Sequence, residues 1–98
     1  MALVIENGEG LSNSETYNGT DFIDAYFLKR GITEWATLTN KEALEVRGMD
    51  FLENNYTYLG TKLVSTQALA FPRVINGETV YPIAIKNALC ELALKANS

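Results

Sequence analysis

Apolar residues recur with a helical period in three segments of the 98-residue chain. The last segment is the most regular, with apolar side chains at positions 85, 88, 89, 92, 93 and 96. The pattern therefore predicts three helices and one shorter helical turn. The helices begin at Thr20 or Asp21 and end before Gly31, run from about Asn40 to Asn55, and start at Pro82, while the turn covers Glu34 to Leu38.

The second predicted helix has two further sequence signals besides its apolar stripe, a capping-box spacing and an internal glycine. Thr39 precedes the helix and Glu42 follows three residues later, which is the spacing of a capping box. Gly48 lies inside the helix, where glycine costs about 1 kcal/mol relative to alanine. We expect another backbone to approach the helix at Gly48, because no side chain holds it away.

The third predicted helix is apolar on more than one side. Ile83, Cys90 and Leu94 lie off its main stripe. A helix with apolar residues on two faces is expected to be buried on two sides. The second partner of this helix could lie within the same domain or in another subunit.

The segments outside the predicted helices contain clear turn residues. Asn76-Gly77 suits the positive φ angles of a tight turn, so Val74 to Val80 is predicted to form a hairpin. Ala2 to Ile5 is either a short strand or an extended arm. Residues 1–98 are therefore predicted to form one mainly α domain, with three to four helices, a long central loop or hairpin and an extended N-terminal arm.

Composition and charge narrow the functional classes. The net charge of −4, from 8 basic and 12 acidic residues, argues against a general nucleic-acid binder, although a local basic patch is compatible with it. The chain has no histidine, so its single cysteine, Cys90, lacks the usual base and is expected to be a small buried hydrophobe. No apolar run reaches the roughly 18 residues that a membrane span needs. We predict that the protein is not an enzyme and needs no cofactor or membrane.

No metal site is predicted either. A zinc site would need a cluster of cysteine and histidine ligands, which the composition excludes. The loop from Glu6 to Glu9 could offer oxygen ligands to calcium, but it is too short for an EF-hand.

Aromatic residues could either stack on single-stranded bases or build the core. The apolar stripes of the predicted helices assign four rings to the core: Phe22, Tyr26, Phe27 and Phe51. Exposed contacts are instead expected of Tyr58, Phe71 and Trp35. Arg73, two residues after Phe71, could bind a phosphate or a partner carboxylate, or form an ordinary surface salt bridge.

The segment from Thr66 to Val74, with the sequence TQALAFPRV, resembles the signature of a family of small tailed-phage proteins. Members of this family are described either as head–tail connectors, also called neck adaptors, or as DnaT-like single-stranded-DNA-binding proteins. The resemblance covers nearly the whole chain and includes the segments DAYF at 24–27, KEAL at 41–44 and CELALKA at 90–96. The chain departs from its relatives at Phe71, where tryptophan is common, and around Tyr56 to Val64, where relatives are more basic.

The connector description implies a structural protein of the bacteriophage virion. Such proteins form a homo-oligomeric ring, typically of twelve copies, below the portal, where they extend the DNA channel and dock further neck or tail components. The implied partners are copies of the chain itself, the portal protein and other neck or tail proteins. Viral DNA would pass through the lumen without specific binding. The implied location is the virion neck, and the host cytoplasm during assembly.

The alternative description implies a DnaT-like single-stranded-DNA-binding accessory protein in replication. The connector is the leading prediction, and salt-sensitive binding to oligonucleotides would favour the alternative. Seven side chains are the candidate contacts to a partner or to another copy of the chain: Trp35, Tyr58, Lys62, Gln67, Phe71, Arg73 and Leu94.

Overall fold

A computed structural model describes residues 3–97 of the chain. These residues form three α-helices, a short 3₁₀-helix and a three-stranded antiparallel sheet. In chain order the elements are α1 (Thr20–Lys29), the 3₁₀-helix (Trp35–Thr37), α2 (Lys41–Asn55), β1 (Thr61–Lys62), β2 (Arg73–Ile75), β3 (Glu78–Val80) and α3 (Ile83–Lys95). The fold is α+β, so the prediction of a mainly α domain with three to four helices is wrong.

The sheet forms in the region that was predicted to be a long central loop. The strand order is β1-β2-β3, and β2 pairs with β3 through the turn at Asn76 and Gly77. These two residues have φ angles of 52° and 82°, so the predicted hairpin with its Asn-Gly turn is confirmed. β1 has only two residues, Thr61 and Lys62, and no sequence pattern of that length identifies a strand.

The closest packing between helices is that of α2 against α3. A Cβ atom added at Gly48 would lie 2.9 Å from Leu89 Cδ1 and 3.2 Å from the backbone nitrogen of Ala93. The predicted close approach at Gly48 is therefore confirmed, and the approaching element is α3. Leu89 and Ala93 are fully buried at this contact.

Helix α3 separates two hydrophobic clusters. One side packs on a cluster that includes Tyr17, Leu69 and Phe71, and the other side packs on a cluster around Phe27 and Trp35. Cys90 and Leu94 belong to the second cluster. Burial of α3 on two sides is confirmed for these two residues, and the second partner lies within the domain, whereas Ile83 is 60% exposed.

The N-terminal segment is folded against the domain. Ile5 forms a parallel bridge with Thr16, and the backbone N–H of Glu6 donates to the carbonyl of Thr16 at 2.9 Å. Both oxygens of the buried Glu6 carboxylate accept hydrogen bonds from the turn that follows, including those from Gly8 and Leu11. The predicted extended arm is therefore wrong for residues 3–5, because the carboxylate anchors this segment, while Ala2 lies outside the described residues.

The helix starts differ from the predicted caps. Asn40 is the N-cap of α2, and it makes no side-chain capping hydrogen bond. Glu42 is therefore the second residue of the helix, one position too early to return a capping-box bond to Thr39, so that prediction is wrong. Gly19 is the N-cap of α1, so this helix begins at Thr20 as predicted, while Pro82, the predicted first residue of the third helix, is the N-cap of α3.

Candidate nucleic-acid interface

Exposed aromatic rings form a row at the C-terminal end of α2. Phe51 and Tyr56 are 43% and 54% exposed, and their ring centroids lie 5.9 Å apart. Tyr58 follows at 6.3 Å from Tyr56, and it contacts the buried ring of Phe71 at 4.8 Å. The row runs from solvent into the core, so the buried ring supports the exposed ones.

Local backbone geometry places these rings together. Tyr56 ends α2 in an extended conformation, with φ −130° and ψ 147°. In an extended chain alternate side chains share one face, which brings Tyr56 and Tyr58 to the same side. The Tyr58 hydroxyl donates to the carbonyl of Leu52 at 2.9 Å and ties the loop to the last turn of α2.

The Arg73 guanidinium holds the loop that follows the row. It donates to the carbonyls of Leu59 at 2.7 Å, Gly60 at 2.7 Å, Ala70 at 3.1 Å and Tyr58 at 3.3 Å. Because these partners are backbone carbonyls, the expected surface salt bridge at Arg73 is wrong. The loop held in this way leaves the Leu59 side chain 78% exposed beside the rings.

Cationic residues lie at both ends of the row. At the α2 end, Arg47 and Lys95 border a groove of about 230 Å³ that Phe51, Leu92 and Ala96 also line. Arg47 precedes Phe51 by four residues, so the two side chains lie on one face of the helix.

At the other end of the row, Lys62 on β1 pairs in register with Arg73 on β2. The Lys62 ammonium lies 3.4 Å from the carbonyl oxygen of Gln67, and its side chain is exposed. We call the whole surface the aromatic face, which consists of Arg47, Phe51, Tyr56, Tyr58, Leu59, Lys62, Arg73 and Lys95.

One carboxylate near the aromatic face is turned into the protein. Glu53 accepts hydrogen bonds from the Tyr17 hydroxyl at 2.6 Å and from the backbone N–H of Ala70 at 2.8 Å. Burial and the hydrogen bond to Glu53 raise the pKa of Tyr17 well above its usual range, so the phenol stays neutral. Glu53 therefore supports the loop behind the face, and its charge is engaged there.

The structure separates the seven predicted contact residues into two groups. Tyr58, Lys62 and Arg73 belong to the aromatic face, whereas Trp35, Gln67 and Phe71 are buried and Leu94 packs partly on the second cluster. The expected exposure of Trp35 and Phe71 is wrong, because these rings fill the core. A role as partner contacts stays a prediction for the exposed members.

Hydrogen bonds satisfy the polar groups of two of these buried side chains, Trp35 and Gln67. Trp35 donates its indole N–H to Asp24 at 2.7 Å. The Gln67 side-chain amide donates to the carbonyls of Leu69 and Pro72 and accepts the backbone N–H of Val64. Both side chains therefore organise the fold.

Sequence reasoning missed the outer part of the aromatic face. The apolar stripe of the second helix predicts a core position for Phe51, but Phe51 is exposed, and so is Tyr56. An available signal was the run of aromatic residues that continues through Tyr58, past the helix end, where a helical stripe no longer applies. Arg47 and Lys95 are on different helices, so only the packing of α2 on α3 brings them to one groove.

A metal site, a reactive cysteine and a membrane-spanning helix have less support in the described part of the chain. Residues 3–97 contain no group of three or more Asp, Glu, Cys or His side chains that could hold a metal ion. Burial raises the pKa of the Cys90 thiol to about 12, so this buried cysteine stays protonated, as expected of a small hydrophobe. Among the same residues no helix has the length and apolar character of a membrane span.

Comparison with known protein families identifies the family of the chain. The model of a family described as "Putative DnaT-like ssDNA binding protein" matches residues 1–98. The curated proteins contain no match, and neither do the solved structures.

This match supports the alternative function considered from the sequence. The prediction of a head–tail connector in a phage virion is wrong, and so are the predicted ring and the portal, neck and tail partners. The predicted passage of DNA without specific binding is also contradicted, because the family is described by its binding of single-stranded DNA. The location in a virion neck and the absence of catalysis stay predictions.

Proposed function

Because the chain belongs to the family of DnaT-like single-stranded-DNA-binding proteins, we propose that it binds single-stranded DNA through the aromatic face. The observation that carries this proposal is the row of exposed rings with cations at both ends. The proposed function is binding alone, without a chemical step. Bases would stack on the rings while the cationic side chains contact the phosphates.

Ring exposure supports stacking. Phe51 and Tyr56 each leave about half of their surface in water, and an unpaired base lacks the neighbours that would otherwise cover its own faces. Stacking of a base on an aromatic side chain contributes about 1–3 kcal/mol and tolerates any base. The expected binding is therefore largely independent of sequence, and duplex DNA, whose bases are already stacked, should bind more weakly.

The few cations on the face limit the electrostatic part of the binding. Arg47 and Lys62 are exposed, while the Arg73 guanidinium is bonded to backbone carbonyls. With about two phosphates neutralised, the logarithm of affinity should fall with the logarithm of salt concentration with a slope of about −1.4. A net charge of −4 is compatible with this modest dependence.

Fluorescence anisotropy with a labelled thymidine oligonucleotide tests the proposal. The chain should bind the single strand at low salt and should bind a duplex of the same length more weakly. Tyr56→Ala should lower the affinity about tenfold through the loss of one stacking ring. Leu28→Ala is the matched control, because Leu28 is 81% exposed on α1, outside the aromatic face. A flat titration at low salt, or an equal loss in both variants, would contradict the proposal.

A further inference from the structure

The rings of the aromatic face are tilted against one another. The planes of Phe51 and Tyr56 meet at 68°, and those of Tyr56 and Tyr58 meet at 43°. The first contact is edge-to-face, which is a favoured geometry for aromatic pairs. Of these three rings, Phe51 and Tyr56 are exposed and Tyr58 is half-buried. The row therefore offers solvent two tilted platforms in place of one flat surface.

The gaps between these rings are too narrow to admit a base. Stacked bases in DNA lie about 3.4 Å apart, so a base between two parallel rings would need ring centroids about 7 Å apart. The centroids of Phe51 and Tyr56 are 5.9 Å apart, and those of Tyr56 and Tyr58 are 6.3 Å apart. A base that stacks on the row therefore lies on the outer face of one ring, with a single ring beneath it.

Contacts with the rest of the protein hold the rings at these angles. The Tyr58 hydroxyl donates to the carbonyl of Leu52 at 2.9 Å, and the Tyr58 ring meets the buried Phe71 ring at 69°. Tyr56 lies between Phe51 and Tyr58 and contacts both rings. Rotation of the Tyr56 ring would disturb both contacts at once, so the tilt is a property of the folded chain.

The tilt determines how a DNA strand can lie on the aromatic face. A base that lies flat on Phe51 and a base that lies flat on Tyr56 are turned from each other by the angle between the two rings. Neighbouring bases in a stacked single strand are parallel, so these two bases cannot remain stacked on each other. A strand that stacks on itself has to lose that stacking before it can occupy both rings, and the loss costs free energy.

We propose that the aromatic face selects single strands whose bases are unstacked, and hence that it prefers thymidine tracts to deoxyadenosine tracts. This inference rests on the proposed binding of single-stranded DNA and adds the class of strand that is bound. Each ring accepts any base, so the preference arises from the strand and not from recognition of base edges. Adenine bases stack strongly on one another, whereas thymine bases stack weakly. If the rings alone decided the affinity, adenine would bind more tightly, because it has the larger face.

Anisotropy titration of the full chain with labelled oligothymidine and oligodeoxyadenosine of equal length tests the inference. At low salt the thymidine strand should bind about threefold to tenfold more tightly, which corresponds to the loss of one stacking step. The difference should shrink on warming, because heat unstacks the free adenosine strand. Equal or tighter binding of the adenosine strand would overturn this inference and leave the DNA-binding proposal intact. Absence of binding to both strands would overturn both.

An adenosine strand that cannot stack separates this explanation from recognition of the thymine base itself. Propanediol linkers inserted between successive nucleotides retain the bases and prevent neighbouring bases from stacking on each other. With these linkers, the adenosine strand should bind at least as tightly as the thymidine strand that carries the same linkers. A thymidine preference that survives the linkers would mean direct recognition of thymine, and it would overturn the inference.

Removal of one exposed platform tests the role of the tilt. Phe51→Ala leaves Tyr56 as the one exposed ring of the row, so a bound strand no longer has to place two bases at an angle. This variant should bind both strands more weakly, and the ratio of thymidine to adenosine affinity should fall toward one. Leu28→Ala, outside the aromatic face, should keep the full preference. An unchanged ratio in a Phe51→Ala variant that is folded by circular dichroism would overturn the inference.

Discussion

The aromatic face and the buried carboxylate of Glu45 differ in which groups lack a favourable environment. On the aromatic face, apolar rings such as Phe51 stay in water beside cations. At Glu45, the polar oxygen Oε1 is removed from water and has no hydrogen-bond donor within residues 3–97. Each arrangement lowers the stability of the isolated domain. A ligand with flat bases would cover the exposed rings, whereas uptake of a proton reduces the cost of burying Glu45.

Glu6 is a second buried carboxylate, and both of its oxygens accept hydrogen bonds. The unpartnered oxygen of Glu45 is therefore not a general feature of buried carboxylates in this fold. Burial alone would raise the pKa of Glu6, but hydrogen bonds from the backbone of Gly10, Leu11 and Gly8 and from Ser14 hold its pKa below the usual value. At Glu45 burial prevails over the bond from Thr16, and the pKa rises from 4.5 to about 7. Glu6 is therefore a structural carboxylate, while Glu45 is only half satisfied.

The largest expected effect distinguishes the aromatic face from the Glu45 region by their response to DNA. The double variant Phe51→Ala/Tyr56→Ala should lose about a hundredfold in affinity for single-stranded DNA, because two stacking rings are removed. Glu45→Gln should bind the same oligonucleotide as tightly as the unmodified chain. Anisotropy titration of both variants measures this difference. A large loss in the Glu45 variant would mean that DNA binding is not confined to the aromatic face.

The next effect is the pH dependence of the free energy of unfolding that arises from Glu45. Between pH 4.5 and 7 the folded chain holds a proton on Glu45 that the unfolded chain has released, so stability falls as pH rises through this range. The loss should reach roughly 3 kcal/mol above pH 7. Glu45→Gln should be more stable than the unmodified chain by up to that amount at pH 8, with little difference at pH 4. Urea unfolding at both pH values provides the measurement, and equal differences at both would exclude ionisation of Glu45 as the cause.

Glu6→Gln should change the free energy of unfolding in the opposite direction from Glu45→Gln, and by a smaller amount. The new amide would place N–H donors against the backbone donors of Gly8 and Gly10, or against those of Leu11 and Ser14. We expect a loss of about 2 kcal/mol of stability at pH 7. Because the pKa of Glu6 is lowered, its contribution is present at neutral pH and is lost as the pH falls below 4.5. If this substitution stabilised the chain, the contrast between the two carboxylates would be invalid.

The smallest effect is expected from the cations. Arg47→Gln should reduce the salt slope of oligonucleotide binding by about 0.7, through the loss of one phosphate contact. Lys29→Gln, at the end of α1, is the control and should leave the slope unchanged. Affinities measured over a range of sodium chloride concentrations test both variants. Equal slopes for the two variants would place the phosphate contacts elsewhere.

The sequence predicted the parts of the fold that depend on local signals. The three helices, the hairpin at Asn76-Gly77 and the close contact at Gly48 all follow from residues near one another in the chain. The pairing of β1 with β2 was missed, because it joins segments that are distant in sequence and β1 is only two residues long.

The candidate site was harder to predict for a related reason. The aromatic face combines a helix end, a loop, two strands and the last turn of α3, and helical periodicity wrongly assigned Phe51 to the core. At Glu45 only one carboxylate oxygen is hydrogen-bonded, to Thr16, and the nearby Asn18 also has an unpartnered side-chain oxygen. No pattern in the sequence connects these three positions.

The most direct test of DNA binding is a residue-resolved one. The full chain labelled with ¹⁵N would be titrated with a thymidine oligonucleotide at low salt, and its amide signals would be followed. Binding at the aromatic face predicts shifts concentrated in residues 47–62 and 92–97, with little change in residues 18–24 and 39–45. An absence of shifts, or shifts confined to residues 18–24 and 39–45, would contradict it.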